Sequence, residues 1–77
     1  MYKVYRVNPD NDYVGFALVA AEDVTNANEI IQDFKTFDDD NTYDSYGYCF
    51  VDDDDLIEGL SSNIKGFILE EIYYHPY

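Results

Sequence analysis

Hydrophobic and polar positions along this chain change period several times, and each change predicts an element. "YKVYRVN", residues 2 to 8, is rich in tyrosine and valine and reads as a strand. "PDND", residues 9 to 12, is turn chemistry: Pro9 fixes φ, and short Asp and Asn side chains bond local backbone. "YVGFALVA", residues 13 to 20, is a second strand, so the first 20 residues predict a hairpin. Both faces of this strand are apolar, with Val14, Phe16 and Leu18 against Tyr13, Ala17 and Val19. That pattern predicts a central strand, or a sheet partly covered on both faces.

The period then becomes helical. Val24, Ala27, Ile30, Ile31, Phe34 and Phe37 recur three and four apart, which makes one apolar stripe. Asp23 is the expected N-cap with Asn26 at N3, and Thr25 is the alternative cap. A helix is therefore expected over 23–36, lying on the sheet. Residues 38 to 45, "DDDNTYDS", read as a polar loop. "YGYCFVD", residues 46 to 52, alternates like a third strand, with Tyr46, Tyr48 and Phe50 on one face. "DDDLIEGL", residues 53 to 60, reads as a short helix capped by Asp53, with Asp54 and Asp55 in its first turn and Gly59 ending it. Residues 64 to 75 read as the last strand, with Ile68, Ile72 and Tyr74 on one face and Phe67, Leu69 and Tyr73 on the other. The expected order is β-β-α-β-α-β. This is a single α+β domain, residues 1 to 77, with a four-stranded, mainly antiparallel sheet, one main helix and a second short one.

Composition changes the picture in two ways. At 77 residues the chain buries only about 60% of its unfolded surface. With 47% hydrophobic and 18% aromatic residues it folds, and tyrosine and phenylalanine take over core positions that leucine fills elsewhere. The net charge is −13, beyond the magnitude of about 2–8 that solubility asks of a small domain. The charge is also uneven. Residues 1 to 37 hold six acidic and three basic residues, whereas 38 to 77 hold eleven and one. Polyanion ligands need Lys and Arg, so direct binding of nucleic acid or an anionic membrane is not expected. A basic protein is the natural complement.

The sequence carries little catalytic or metal-binding chemistry. Cys49 is a lone cysteine, which fits a reducing, cytoplasmic setting, and its neighbours Tyr48 and Phe50 predict a small buried hydrophobe. No apolar run approaches the ~20 residues needed to span a bilayer. A calcium loop needs oxygen ligands at positions 1, 3 and 5 and glycine at 6. Starting at Asp38, position 6 is Tyr43; starting at Asp40, it is Ser45; starting at Asp52, position 5 is Leu56. One His (His75) and one Cys do not make a zinc set. No enzyme activity, cofactor or metal site is expected.

What remains is a surface. The aspartates after residue 51 have a structural account as a helix start, which explains their position but not their number. Tyrosine offers rigid apolar area with a polar tip and is enriched at interfaces. Carboxylates steer a basic surface and fix register on it. The expected partner-binding residues are Asp38, Asp39, Asp40, Tyr43, Asp44, Tyr46, Asp52, Asp53, Asp54, Asp55 and Glu58. In size, charge and aromatic content the chain resembles the small acidic inhibitors of phages and mobile elements, the anti-CRISPR and anti-restriction proteins that mimic DNA. That resemblance implies an inhibitor occupying the nucleic-acid channel of a host nuclease. Two other readings fit the same composition: an immunity protein or antitoxin against a basic nuclease toxin, and a structural or regulatory homodimer module.

Overall fold

A central hairpin organises the molecule. The computed structural model describes residues 1–10, 13–35 and 47–74, with positions 35 and 74 described in the backbone alone. β1 (Tyr2–Val7) and β2 (Tyr13–Ala21) pair antiparallel, with Lys3 opposite Ala21 and Val7 opposite Ala17. Alternation puts Tyr5 and Val7 of β1 on the same face as Ala17, Val19 and Ala21 of β2. All five are buried. Between the two strands the Tyr13 N–H donates to the Asp10 carbonyl at 3.1 Å.

α1 (Val24–Lys35) covers that face. Its start is the expected one. The Asn26 N–H donates to Asp23 Oδ1 at 2.8 Å, which satisfies an orphan donor of the first turn. Asn26 Oδ1 in turn accepts from the Glu22 N–H at 2.9 Å. The apolar stripe packs as predicted, with Ala27 and Ile31 fully buried and Val24, Ile30 and Phe34 packed against the core. Small side chains at Ala17, Ala21 and Ala27 let helix and sheet approach closely. Phe37 and the loop 38–45 lie outside the described residues.

β3 (Leu56–Ser62) pairs with β1 and β4 (Gly66–Tyr74) pairs with β2, both antiparallel. The sheet order is β3-β1-β2-β4, so β2 is central, as its two apolar faces predicted. The fold is α+β: a four-stranded antiparallel sheet with one main helix and a short 3-10 helix, Asp53–Asp55. No described helix is long and apolar enough to cross a membrane.

Three local expectations are corrected. Residues 47 to 52 are not a strand. They make a single bridge, Tyr48 with Pro9, and hydrogen bonds from Asp10 N–H to the Gly47 carbonyl (2.6 Å) and from Cys49 N–H to the Asn8 carbonyl (3.2 Å). Gly47 has φ +84°, which breaks the extended run, and a Cβ there would collide with the Tyr13 ring. Tyr48 and Phe50 do not share an environment: Tyr48 is 5% exposed and Phe50 51%. Cys49 is half-buried, with Sγ 3.5 Å from the Pro9 carbonyl.

The helix expected over 53–60 stops after one turn. A reciprocal cap between Asp52 and Asp55 closes it, and Leu56 turns extended to stand opposite Tyr5 in the sheet. Residues 56 to 62 are thus the strand, and Gly59 (φ +85°) sits in its bulged stretch instead of ending a helix.

In the last strand the two predicted faces are mixed. A register irregularity puts Leu69 opposite Leu18 and Phe67 opposite Val19, leaving Ile68 as the extra residue. Phe67 and Ile72 both pack on the core, while Leu69 and Tyr73 face the other way.

Residues 63 to 65 join strands on opposite edges of the sheet. Three inter-strand spacings amount to about 14 Å, nearly the full reach of four Cα steps at about 3.8 Å each. The sheet end must therefore curl. Val4 and Ala20, paired near this end on the face away from α1, are fully buried, as a curled end makes them.

Candidate acidic interface

The aspartate turn is built by its own side chains. The Asp54 N–H donates to Asp52 Oδ1 at 2.9 Å, and the Asp52 N–H donates to Asp55 Oδ2 at 2.9 Å. The Asp55 N–H also reaches the Asp52 carbonyl at 3.0 Å. This is the capping box, in which two orphan donors are satisfied reciprocally. Asp52 and Asp55 therefore have a structural task. Asp53 and Asp54 have none: both are exposed, and their carboxylates have no hydrogen-bond or ion-pair partner among the described residues.

One residue that sequence reasoning passed over fixes the turn in place. Asn28, on α1, donates from Nδ2 to the Val51 carbonyl at 2.9 Å and accepts from the Val51 N–H at 2.8 Å. A side-chain amide thus takes the place of a strand partner for Val51, whose side chain is buried in the core. An Asn on the polar side of a helix looks like any solvated residue. The sequence carries no signal for it, because 46–52 reads as a strand, and a strand takes its backbone partners from the sheet.

The clamp sets the aspartate turn beside α1 and extends the acidic surface beyond the expected residues. Asp23 at the helix N-cap and Asp53 in the turn both lie near Tyr5. Burial pushes the Tyr5 hydroxyl pKa above its ordinary value, and the charges of Asp23 and Asp53 push it further. Glu29 and Asp33, one turn apart on α1, line a groove of about 480 Å³ together with Thr25, Asn28, Gln32 and the exposed ring of Phe50. Glu58 is exposed in the bulged stretch of β3. The other expected residues, Asp38, Asp39, Asp40, Tyr43, Asp44 and Tyr46, lie outside the described residues.

Three described cations sit elsewhere. Lys65 reaches Glu22 at 3.7 Å where the 63–65 link passes the end of β2. Arg6 lies on the sheet face away from α1, its guanidinium 4.6 Å from the centroid of Phe16 and its Nε donating to Asn8 Oδ1 at 3.1 Å. Lys3 is exposed in β1.

Behind the acidic surface the frame is aromatic. Phe34 stacks on Tyr48 with centroids 4.9 Å apart, and Phe67 closes on both at 5.5 and 5.1 Å. These rings tie α1, the 47–52 segment and β4 together. The Tyr48 hydroxyl donates to Glu70 Oε1 at 3.0 Å. Burial drives the Tyr48 pKa well above its ordinary value, with the bond to Glu70 and its charge adding to it. Among the described residues no three His, Cys, Asp or Glu side chains form a metal-sized group. No known protein family, curated protein or solved structure matches this chain.

Proposed function

We propose that this protein is an acidic inhibitor that inserts its aspartate turn into the basic nucleic-acid-binding groove of a partner protein, in the manner of a DNA mimic. The observation that supports this reading is the pair of exposed carboxylates of Asp53 and Asp54, without a hydrogen-bond or ion-pair partner among the described residues, on a turn closed by its own side chains. Asp52 and Asp55 close it, and Asn28 anchors it to α1. A preformed array loses little entropy on docking, so its charge goes into affinity and register. Asp23 and Asp53 both lie near Tyr5, and Glu29 and Asp33 add further carboxylates along the α1 groove that Phe50 lines. Phe50, half exposed beside them, supplies an aromatic face where a nucleic-acid site expects a stacked base. The partner is a basic protein, a nuclease or another nucleic-acid-binding protein, and this chain itself binds neither nucleic acid nor membrane.

The test uses Asp53→Asn/Asp54→Asn, which leaves both capping residues in place. With a basic nuclease recovered on the wild-type protein, the variant should bind at least tenfold more weakly, and wild-type affinity should fall steeply with salt. Labelled duplex should be displaced as the wild-type protein binds. Equal affinity of the two forms, or a ternary complex with the duplex, would discard the mimic.

A further inference from the structure

Among the described residues, no helix lies over the sheet face opposite α1. Val14, Phe16 and Leu18 of β2, Leu69 and Tyr73 of β4, and Leu60 of β3 lie on it by alternation and register. Val14 is 44% exposed, Tyr73 57% and Leu60 43%. An apolar sheet face of this kind on a small soluble domain marks an interaction surface.

We propose that this face packs against the same face of a second copy, giving a two-fold, sheet-on-sheet dimer. The charges on the face select that occupant. Arg6 stands over Phe16, and Glu71 is opposite Phe16 in the β2–β4 ladder, so one cation and one anion flank the same ring. A face with balanced charge is rare on a chain of −13. It repels a uniformly basic or uniformly acidic partner on one of its two charges. A two-fold axis running along the strands near Phe16 brings the Arg6 of each protomer toward the Glu71 of the other, a reciprocal pair of the kind an isologous interface makes. The aspartate turn is tied to α1 on the far side of the sheet, so the two acidic surfaces point away from each other and their repulsion is small.

Edge-to-edge pairing of β4 is the competing geometry, because among the described residues nothing pairs with its outer edge. Its sequence opposes this. Glu70 and Glu71 sit in the middle of the strand, and any antiparallel β4–β4 register that keeps the strand paired sets these carboxylates beside their copies. Face-to-face packing avoids that clash.

The dimer rests on apolar burial and is independent of the acidic interface. Sedimentation equilibrium across micromolar to submillimolar protein should give a mass twice the 9.0 kDa of the chain. Association should persist as salt rises, because it rests on the apolar contact, which screening leaves in place. Val14→Lys, in a central strand that edge pairing cannot touch, should weaken dimerisation at least tenfold. Tyr73→Lys, at a side chain already more than half exposed, should do the same while circular dichroism stays native. A wild-type monomer at all concentrations and salts, an assembly larger than a dimer, or a folded lysine variant that dimerises like the wild type would overturn the proposal.

Discussion

Asn28 and Val51 are joined by two hydrogen bonds, one in each direction, between a helix side chain and the backbone of an otherwise irregular segment. The pair ties the segment that leads into the aspartate turn to α1. Asn28→Ala leaves a half-buried N–H and C=O without partners, which costs about 1–2 kcal/mol. The melting temperature should fall accordingly, and the backbone of residues 50 to 55 should lose hydrogen-exchange protection before the hairpin does. Unchanged protection there would mean that the aspartate turn holds its place without Asn28.

The four aspartates should separate into two classes. Asp52→Ala removes a cap and should cost about 0.5–1 kcal/mol. Asp53→Asn and Asp54→Asn remove only exposed charge from a strongly anionic chain, so stability should stay level or rise. Chemical denaturation of the single variants measures this, and equal losses at all four positions would contradict the division.

Among the described residues Ile31 is the largest fully buried side chain, and it lies in the helix–sheet core. Ile31→Ala should destabilise by about 2–5 kcal/mol. A loss below about half a kcal/mol in urea titration would place the core elsewhere.

Alkali should unfold this protein through its buried tyrosines. Tyr48 and Tyr5 have folded-state pKa values above the unfolded value of about 10. Below that pH both states are protonated and the stabilisation is complete. Above it the unfolded chain loses protons that the folded chain retains, so stability falls as pH rises. Tyr48→Phe should be less stable at neutral pH, having lost the bond to Glu70, yet should lose less between pH 10 and 12. A parallel decline of variant and wild type would remove Tyr48 from the account.

The hairpin, the helix and its cap were legible because their signals are local: a turn at Pro9 and Asp10, a cap at Asp23, and a stripe of one period from Val24 to Phe34. The region from 46 to 60 was misread for equally physical reasons. "YGYCFV" alternates like a strand, but its backbone partners come from Asn8, Asp10 and the Asn28 side chain, which no period reveals. "DDDLIEGL" has the caps of a helix, but the Asp52–Asp55 box closes on itself after one turn and Tyr5 claims Leu56 for the sheet. In β4 a single extra residue, Ile68, reverses every inside–outside assignment before it. Of the candidate site, the aspartates were legible as a run. Their division into caps and free charges depends on side-chain hydrogen bonds that composition cannot encode.

The strand order also dictates when the molecule can become whole. β1 and β2 meet through a short turn and can associate early, but a two-stranded hairpin with one helix is marginal alone. The strands that bracket it come from one continuous stretch near the end of the described chain, joined by only three residues. Neither edge can dock far ahead of the other, because the 63–65 link is too short to let one wait. Completion is thus a single late, non-local event with a high loop-closure cost, and the folding rate should be set there. Residues 56 to 74 act as a clasp, and cleaving the link between Ser62 and Gly66 should release both edges together.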